Sequence, residues 1–260
     1  MTLVMENLTC FERIECAKVN ARATRYPKHT HEEYVISANL SGVERIWYNG
    51  KQQEVHAGEV TLYNPMTVQA SAFCEKGAQF ISVHLDGQQV RSILDPTTSA
   101  NGLPTFQEGV IQNSALFRSI LDLYAQLGSG DRDEALLVLL SELSRVRTVP
   151  HTAKEPLRVA HLIHFMKANL YETITLEDLC SEANLSRFHL VRSFKALKSL
   201  PPMQYLKQLR LIEARRRLRL GDAPAHIAAE LGFFDQAHLS NAFRKVMGAS
   251  PASYRSMSGA

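Results

Sequence analysis

The sequence lacks the features of a secreted, membrane-embedded or disulfide-stapled protein. Its 260 residues contain no run of about 18 apolar residues that could cross a bilayer, and the N-terminus lacks the basic-then-apolar layout of a signal peptide. The cysteines are far apart and form no C-x-x-C pair, which argues against a disulfide framework or a zinc knuckle. We therefore expect a cytoplasmic, nucleoid-associated chain with reduced thiols and no membrane partner. The four cysteines are Cys10, Cys16, Cys74 and Cys180.

Net charge is also low, at +3, but it is unevenly distributed. Residues 1–155 carry 14 Lys and Arg against 18 Asp and Glu, a net charge of −4, whereas residues 156–260 carry 15 against 8, a net charge of +7. A basic segment of this kind favours a polyanionic partner. The hydrophobic content of 45% is sufficient for one core in each of two domains.

Short β-favouring runs, broken by turn residues, occupy residues 33–87. Asn49 and Gly50 lie between "RIWY" and "KQQEV" and form the dipeptide that a two-residue hairpin prefers, because both central residues need a positive φ. Gly42 and Gly58 also punctuate the runs at short intervals. The pattern predicts a small antiparallel barrel or sandwich.

Two helices are predicted after residue 109. The segment "NSALFRSILDLYAQL" carries apolar residues at spacings of four, three and four, which form one stripe along a helix. A second helix begins near Asp131 and is apolar on more than one side. The stripe either packs on the sheet or forms a dimerisation surface, and a homodimer is compatible with the second alternative. The stripe consists of Leu116, Ile120, Leu123 and Leu127.

A short helical pattern occurs twice, in "NLSRFHLVRSFK" (184–195) and "GFFDQAHLSNAFRK" (232–245). With a shift of 49 positions the two copies share His, Leu and Phe at corresponding places. Each copy follows a short helix and a sharp turn, at Asn184 and Gly232, and begins at a capping residue, Ser186 or Asp235. One copy alone could be an ordinary αα-hairpin, but two copies predict helix-turn-helix motifs at about 175–197 and 223–247.

The outward faces of the two second helices carry small, amide, hydroxyl and guanidinium side chains and no acidic residue after the cap. In a major groove, Arg suits guanine, Asn or Gln suits adenine, and small or apolar groups suit the thymine methyl group. We therefore predict DNA contacts by Arg187, Phe188, Val191, Arg192 and Lys195 in the first motif, and by Gln236, Ala237, Ser240, Asn241 and Arg244 in the second.

A helix of about 202–220, which begins at Pro202, separates the two motifs. About eighteen residues make a rod of about 27 Å, and with the packing at either end the two recognition helices should lie about 34 Å apart, one turn of B-DNA. The rod also carries Arg215, Arg216, Arg217 and Arg219. These arginines either contact the DNA backbone or pair with Glu213, and the sequence leaves both alternatives open.

The stretch "DQAHLSNAFRKVMGASPASYR" closely resembles the signature of the AraC/XylS family of bacterial transcription regulators, and the resemblance covers about residues 156–260. It implies an operator-binding domain with two motifs on one connecting helix, RNA polymerase as a partner, and a regulator, here expected to be an effector-responsive activator rather than an enzyme. Asn241 stands where relatives often have arginine, so the resemblance does not extend to a guanine contact there.

The N-terminal part resembles the cupin-type effector domain of the same family. "HTHEEYVISANLSG" resembles the first cupin motif and "GEVTLYNPMTVQ" the second, but Gln69 stands where a metal-binding cupin commonly has its last histidine. We therefore expect no metal and no cofactor. A small organic effector is expected at the mouth of the barrel. The residues predicted to line its pocket are His29, His31, Glu33, Trp47 and Tyr48.

The combined prediction is an α+β chain. It has a cupin-like β-barrel with two helices at residues 1–147, a linker at 148–155, and an all-α domain at 156–260 with two helix-turn-helix motifs joined by a long linker helix. Two alternatives remain: a cupin enzyme with an accessory DNA-binding tail, which would need a metal or a catalytic dyad in the barrel, and a regulator controlled by a protein partner.

Overall fold

Asn49 and Gly50 form the predicted hairpin turn, with φ values of 46° and 80°. The strands that flank them pair from Tyr48 and Lys51 outward. The computed structural model describes residues 2–11, 14–94, 103–128, 131–148 and 156–259. The chain divides into two units, Met1–Pro150 and His151–Ala260, which we call the sheet unit and the helical unit.

The sheet unit contains one antiparallel sheet of eight strands among its described residues. The strand order is β1-β2-β7-β4-β6-β8, with β3 paired to β7 and β5 paired to β4. Hydrogen bonding therefore centres on the two long strands β4 and β7. The strands are β1 (Thr2–Phe11), β2 (Ile14–Arg22), β3 (Arg25–His29), β4 (Tyr34–Tyr48), β5 (Lys51–His56), β6 (Val60–Tyr63), β7 (Gln69–Leu85) and β8 (Gly109–Ile111).

Gly42 lies inside a long strand and does not end one, in contrast to the expectation of short runs separated at glycines. β4 continues through it for 15 residues, and the register with β7 shifts between Gly42 and Glu44, which marks a bulge. Gly42 has a φ of 76°, and a Cβ at this position would clash with the carbonyl oxygen of Gly77. The glycine is needed for the bulge and for close approach of the two strands.

One face of the sheet is covered by helices α1 (Gly87–Leu94), α2 (Ser114–Gln126) and α3 (Arg132–Ser144). All four residues of the predicted apolar stripe, Leu116, Ile120, Leu123 and Leu127, are buried there in the same core as Ile36, Val83 and Leu85 of the strands. The dimerisation surface predicted for the stripe is therefore wrong, because these side chains pack on the sheet of their own chain. The alternative, in which the helices cover the sheet, describes the molecule.

The other face of the sheet, which we call the second face, carries buried polar side chains as well as apolar ones. Successive residues of a strand alternate between faces, so His84 points away from the core that contains Val83 and Leu85. A smaller apolar cluster on this face includes Val35, Tyr48 and Tyr63, and several buried polar side chains accompany it. The buried polar residues include Glu15, His29, His31, Glu33, Ser37, Asn39, Glu44, Gln69 and Ser82.

The helical unit contains seven helices among its described residues. Prolines at the first turns of α7, α8 and α10 suit helix starts, where the missing N–H has no intrahelical acceptor. Most of the predicted linker, residues 149–155, lies outside the described residues, and no described helix is long and apolar enough to cross a membrane. The helices are α4 (Leu157–Ala168), α5 (Leu176–Ala183), α6 (Arg187–Lys198), α7 (Pro202–Arg219), α8 (Pro224–Glu230), α9 (Gln236–Met247) and α10 (Pro251–Met257).

Candidate nucleic-acid interface

The first motif consists of α5, a turn and α6. Thr175 and Asp178 form a capping box at the start of α5. The helix ends at Asn184, which has a left-handed φ of 49°. Ser186 then caps α6 by accepting a hydrogen bond from the backbone N–H of His189. These local bonds define where each helix begins and ends, since they satisfy backbone groups that have no partner within the helix.

The second motif repeats this construction in α8 and α9. Gly232, with a φ of 66°, forms the turn. Asp235 caps α9 by accepting from the N–H of His238 at 2.6 Å. The inward residues also correspond, because Phe194 packs edge to face on Tyr205 and Phe243 does so on Tyr254, each with ring centroids 5.4 Å apart. The repeat in the sequence is therefore a repeat in packing.

The ten predicted DNA contacts lie on the outer sides of α6 and α9. Eight of them are exposed, and Val191 and Ser240 are partly exposed. By contrast, the inward residues Leu190, Phe194 and Leu239 are buried. Because no member of the predicted set is buried, each can reach a ligand outside the chain. The exposed members are Arg187, Phe188, Arg192, Lys195, Gln236, Ala237, Asn241 and Arg244.

Arg187 differs from the other predicted contacts because it forms an ion pair with Glu177 of α5. A DNA contact by Arg187 would compete with this pair.

Phe188 is an apolar member of the predicted set, and its ring is 68% exposed. A large apolar ring costs free energy when it faces water, so Phe188 is well suited to an apolar partner such as a thymine methyl group.

Phe234 is a residue that sequence reasoning missed. Its side chain is 92% exposed directly before the cap of α9, whereas the adjacent Phe233 is buried against the ring of His238. The signal was present in the aromatic doublet, because a tight turn places consecutive side chains on opposite sides. Phe234 therefore extends the outward surface of the second motif at the start of its recognition helix.

Helix α7 packs against α6, α8 and α10, so it connects the two motifs directly. Arg210, near its centre, donates hydrogen bonds to the carbonyl oxygens of Leu170 and Glu172, before the first motif, and of Gly232, in the turn of the second. On the same helix, Lys207 Nζ lies 3.3 Å from His238 Nε2 of α9. These contacts fix both motifs to a single rod.

The arginine run on α7 is mainly structural. Arg215 is buried, and its Nε donates to the hydroxyl of Tyr254 at 3.1 Å. Arg217 pairs with Asp222 and Glu230. These contacts favour the pairing alternative over DNA backbone contacts for both residues.

Arg216 donates two hydrogen bonds to Glu213, at 2.7 and 2.8 Å. Glu213 also accepts a hydrogen bond from the hydroxyl of Tyr171 at 2.6 Å. Burial opposes ionisation of Glu213, but the hydrogen bonds from Arg216 and Tyr171 outweigh it and lower the pKa of the carboxyl. The predicted pairing of the run with Glu213 therefore applies to Arg216.

In the sheet unit, the five residues predicted for an effector pocket do not lie together. The register joins His29 to Gln69 and Gln69 to Tyr48, so these three share the second face. Trp47, one residue from Tyr48, points to the opposite face and lines a groove of about 1160 Å³ with residues of β3, β5 and β7. The ammonium of Lys28 lies 3.4 Å from the centroid of its ring.

The two histidines of the first cupin-like motif are close neighbours on the second face. The rings of His29 and His31 have centroids 5.0 Å apart, and His29 Nδ1 lies 2.7 Å from the carbonyl oxygen of Pro27. Burial lowers the pKa of His29 to about 4, although that carbonyl contact raises it in part. His84 joins this pair, with its ring 4.7 Å from that of His31, and the sequence motif did not suggest it.

Two family models match the chain. The model described as a helix-turn-helix domain matches residues 179–257, and the model described as an AraC-like ligand binding domain matches residues 13–143. Together they account for both units. The second match alone spans half of the chain.

Two relatives match this chain over most of their length and are described as transcription regulators. The uncharacterized HTH-type transcriptional regulator YbfI of Bacillus subtilis is 25% identical over 241 residues, which cover 87% of this chain and 86% of that protein. The HTH-type transcriptional activator RhaS of Citrobacter koseri is 25% identical over 256 residues, which cover 88% and 87%. The structure of ToxT from Vibrio cholerae O395 aligns with a TM-score of 0.61 at 13% identity over 94% of this chain and 98% of that one. It shows a shared fold.

Proposed function

Since this chain belongs to the AraC family of transcription regulators, we propose that it reads two successive major grooves of an operator, one with α6 and one with α9. The observation that carries the proposal is that one helix, α7, packs against α6 of the first motif and α8 of the second, with Tyr205 against Phe194 and Lys207 beside His238. An 18-residue helix is about 27 Å long. Together with the packed motifs at its ends, this length supports a spacing near one turn of duplex DNA.

Each exposed side chain has a suitable target in this arrangement. Arg192 and Arg244 can donate two hydrogen bonds to guanine, and Gln236 and Asn241 can bond the edge of adenine. Phe188 can contact thymine methyl groups. The other predicted contacts, Arg187, Val191, Lys195, Ala237 and Ser240, complete the surface with apolar contacts and bonds to phosphates.

The helical unit acts in transcription and not in catalysis, in this proposal. The relative RhaS is described as a transcriptional activator, which supports activation, with RNA polymerase as the protein partner. The sheet unit would bind a small-molecule effector. A homodimer is retained in the proposal, but the buried stripe on α2 cannot form its interface.

The effector would meet the sheet unit at one of two places. His29, His31, Glu33 and Tyr48 provide polar groups on the second face, whereas Trp47 provides an aromatic wall in the groove on the other side. Because an effector need prefer only one arrangement of the protein by about 1 to 3 kcal/mol to change operator occupancy, either place is sufficient. Replacement of His29 by alanine should weaken the effector response if the effector binds on the second face, whereas replacement of Trp47 by alanine should weaken it if the effector binds in the groove.

The spacing of the two half-sites tests the proposal. Duplexes from genome-wide mapping of bound sites are titrated with full-length protein by fluorescence anisotropy, with insertions of about half a turn (~5 bp) or about one turn (~10 bp) between the half-sites. Because α7 cannot stretch, both insertions should weaken binding at least about tenfold, which is about 1.4 kcal/mol.

The same insertion placed outside the site is the control and should leave affinity unchanged. If the full-turn insertion bound as tightly as the parent duplex, the two motifs would be flexibly joined and the rigid two-groove arrangement would be incorrect. If neither insertion nor removal of one half-site mattered, only one motif would read DNA.

A further inference from the structure

Three potential metal ligands meet on the second face of the sheet. His31 and Glu33 come from the segment between β3 and β4, and His84 comes from the end of β7. One ligand atom from each residue lies within 4.8 Å of the other two. His31 and Glu33 are buried and His84 is partly buried, so the group differs from the exposed acidic clusters that occur on many protein surfaces.

The sheet register brings the three residues together. His84 pairs with Val35 of β4 and with Glu15 of β2. Glu33 lies two residues before Val35, and the intervening Tyr34 belongs to the core on the opposite face. Glu33, which directly precedes β4, reaches the same side as His84 of β7, and the ring of His31 lies 4.7 Å from that of His84.

The side chains around His84 resemble those that hold metal-ligating histidines in place in other proteins. Ser82 Oγ lies 3.3 Å from His84 Nε2 and also bonds Ser37 Oγ at 3.2 Å. Contacts of this kind orient a ligating imidazole and fix its tautomer. The carboxylate of Glu15, opposite His84, is buried as well. Because Glu15 pairs with His84 in the sheet register, a divalent cation bound here would lie near this second carboxylate and interact favourably with its charge.

We propose that His31, Glu33 and His84 bind one Zn²⁺ ion. Two imidazoles and a carboxylate suit this ion, which takes donors at about 2.0 to 2.2 Å in tetrahedral geometry. Such donors are about 3.4 Å apart, and the three ligand atoms lie within 4.8 Å of one another, so the side chains need to approach by at most about 1.4 Å, which side-chain rotation can provide. Three protein ligands leave one position for water or for an anionic small molecule.

The proposal departs from the expectation, based on Gln69, that the sheet unit binds no metal. The cupin-like motif offers His29, His31 and Glu33 as ligands and has Gln69 at the fourth position, whereas the set proposed here keeps His31 and Glu33 and adds His84 in place of His29 and Gln69. His29 is thus an internal control, because it lies next to His31 but outside the set. The inference is independent of the DNA-binding proposal, and its test does not involve DNA.

The test measures Zn²⁺ affinity of the full chain. Protein freed of metal with a chelator is titrated with Zn²⁺ in competition with a chromophoric chelator, and we expect one ion per chain. His31→Ala and His84→Ala should each weaken binding at least about 100-fold. His29→Ala and His56→Ala, the latter an exposed histidine of the same unit, should bind within about threefold of the wild type.

Because loss of binding could reflect unfolding, each variant is checked by the fluorescence of Trp47, the single tryptophan. His84→Gln, which conserves volume, is a second variant at the same position. Co²⁺ bound to the wild type gives a further measurement: nitrogen and oxygen ligands predict tetrahedral visible bands without the charge-transfer absorption of a thiolate.

Four results would overturn the proposal. They are a wild type that does not compete with the chelator, a folded His84 variant that binds like the wild type, an equal loss on His29→Ala, and a thiolate band in the Co²⁺ spectrum. Each points either to no site or to a different set of ligands.

Discussion

The two units of this protein bury opposite kinds of ionisable group. The helical unit buries the guanidinium groups of Arg215 and Arg217, whereas the sheet unit buries the carboxyl groups of Glu15, Glu33 and Glu44. A charge count by segment, −4 against +7, treats all of these groups as surface. The comparison shows that part of the basic excess stabilises the helical unit internally and cannot attract DNA.

The same distinction separates two groups of arginines within the helical unit. Arg192 and Arg244 are exposed on the recognition helices, while Arg215 and Arg217 of α7 are buried and paired. The run on α7 is the densest basic stretch of the sequence, yet its position on a packed rod gives it a structural role. Arg216 is intermediate, since it is exposed but bonded to Glu213.

The largest effect is expected for Arg215→Ala. Removal of this buried side chain leaves a cavity and deprives the hydroxyl of Tyr254 of its donor, which should lower the free energy of unfolding of the helical unit by about 3 to 5 kcal/mol. Urea unfolding followed by far-UV circular dichroism measures the change. The urea transition of Trp47 fluorescence, which reports the sheet unit, is the control and should not move. A shift below about 1 kcal/mol would contradict a structural role.

In the sheet unit, the buried carboxyl group of Glu44 is the counterpart of the buried guanidinium group of Arg215. Burial raises its pKa from 4.5 to about 7, and a hydrogen bond with Ser71 offsets this in part. As the pH rises, the unfolded chain therefore loses this proton before the folded protein does. The contribution of Glu44 to the free energy of unfolding is complete below pH 4.5 and is lost as the pH rises towards 7. Glu44→Gln should abolish this loss.

Between these pH values the wild type should lose about 2 to 3 kcal/mol of unfolding free energy relative to Glu44→Gln. Urea unfolding of the sheet unit, followed by Trp47 fluorescence in the presence of a metal chelator, gives the difference. Comparison of the two proteins cancels the opposite contribution of His29, whose pKa is lowered to about 4. Parallel stability curves for the two proteins would show that Glu44 ionises normally.

Arg192→Ala tests the exposed arginines. The variant should lose about 1 to 3 kcal/mol of operator affinity and should discriminate less at one base position, because a bidentate contact is removed. Its unfolding should match the wild type, in contrast to Arg215→Ala. Titration against operator variants substituted one base pair at a time measures both quantities. Lys167→Ala, an exposed cation of α4 outside both motifs, is the matched control. Unchanged discrimination at every position would remove Arg192 from the base contacts.

The parts of the structure that depend on local bonds could be predicted from the sequence. Ser186, Asp235, Asn184 and Gly232 were identified as caps and turns because their interactions span only three or four residues. The opposite faces of Trp47 and Tyr48 were also predictable, since consecutive strand residues alternate.

The position of His84 was not predictable. It depends on the register between β4 and β7, strands separated by long stretches of chain. Similarly, the stripe of Leu116 and Ile120 matches packing on the sheet and dimerisation equally well, because only the tertiary structure determines which surface covers it. The length of β4 was missed for a related reason, since a glycine in a bulge and a glycine in a turn have the same local conformation.

The smallest effect is expected for Arg216→Ala. This variant tests most directly whether the exposed arginine of α7 is structural or contacts DNA. An exposed ion pair such as Arg216–Glu213 contributes about 0 to 1 kcal/mol, so unfolding should barely change. If Arg216 does not contact phosphates, the dependence of operator affinity on salt should also stay the same. Lys195→Ala, on the exposed side of α6, should instead reduce the slope of log affinity against log salt by about 1. Equal salt slopes for Arg216→Ala and Lys195→Ala, both below that of the wild type, would mean that α7 also contacts the DNA backbone and that the division between structural and DNA-facing arginines fails at this residue.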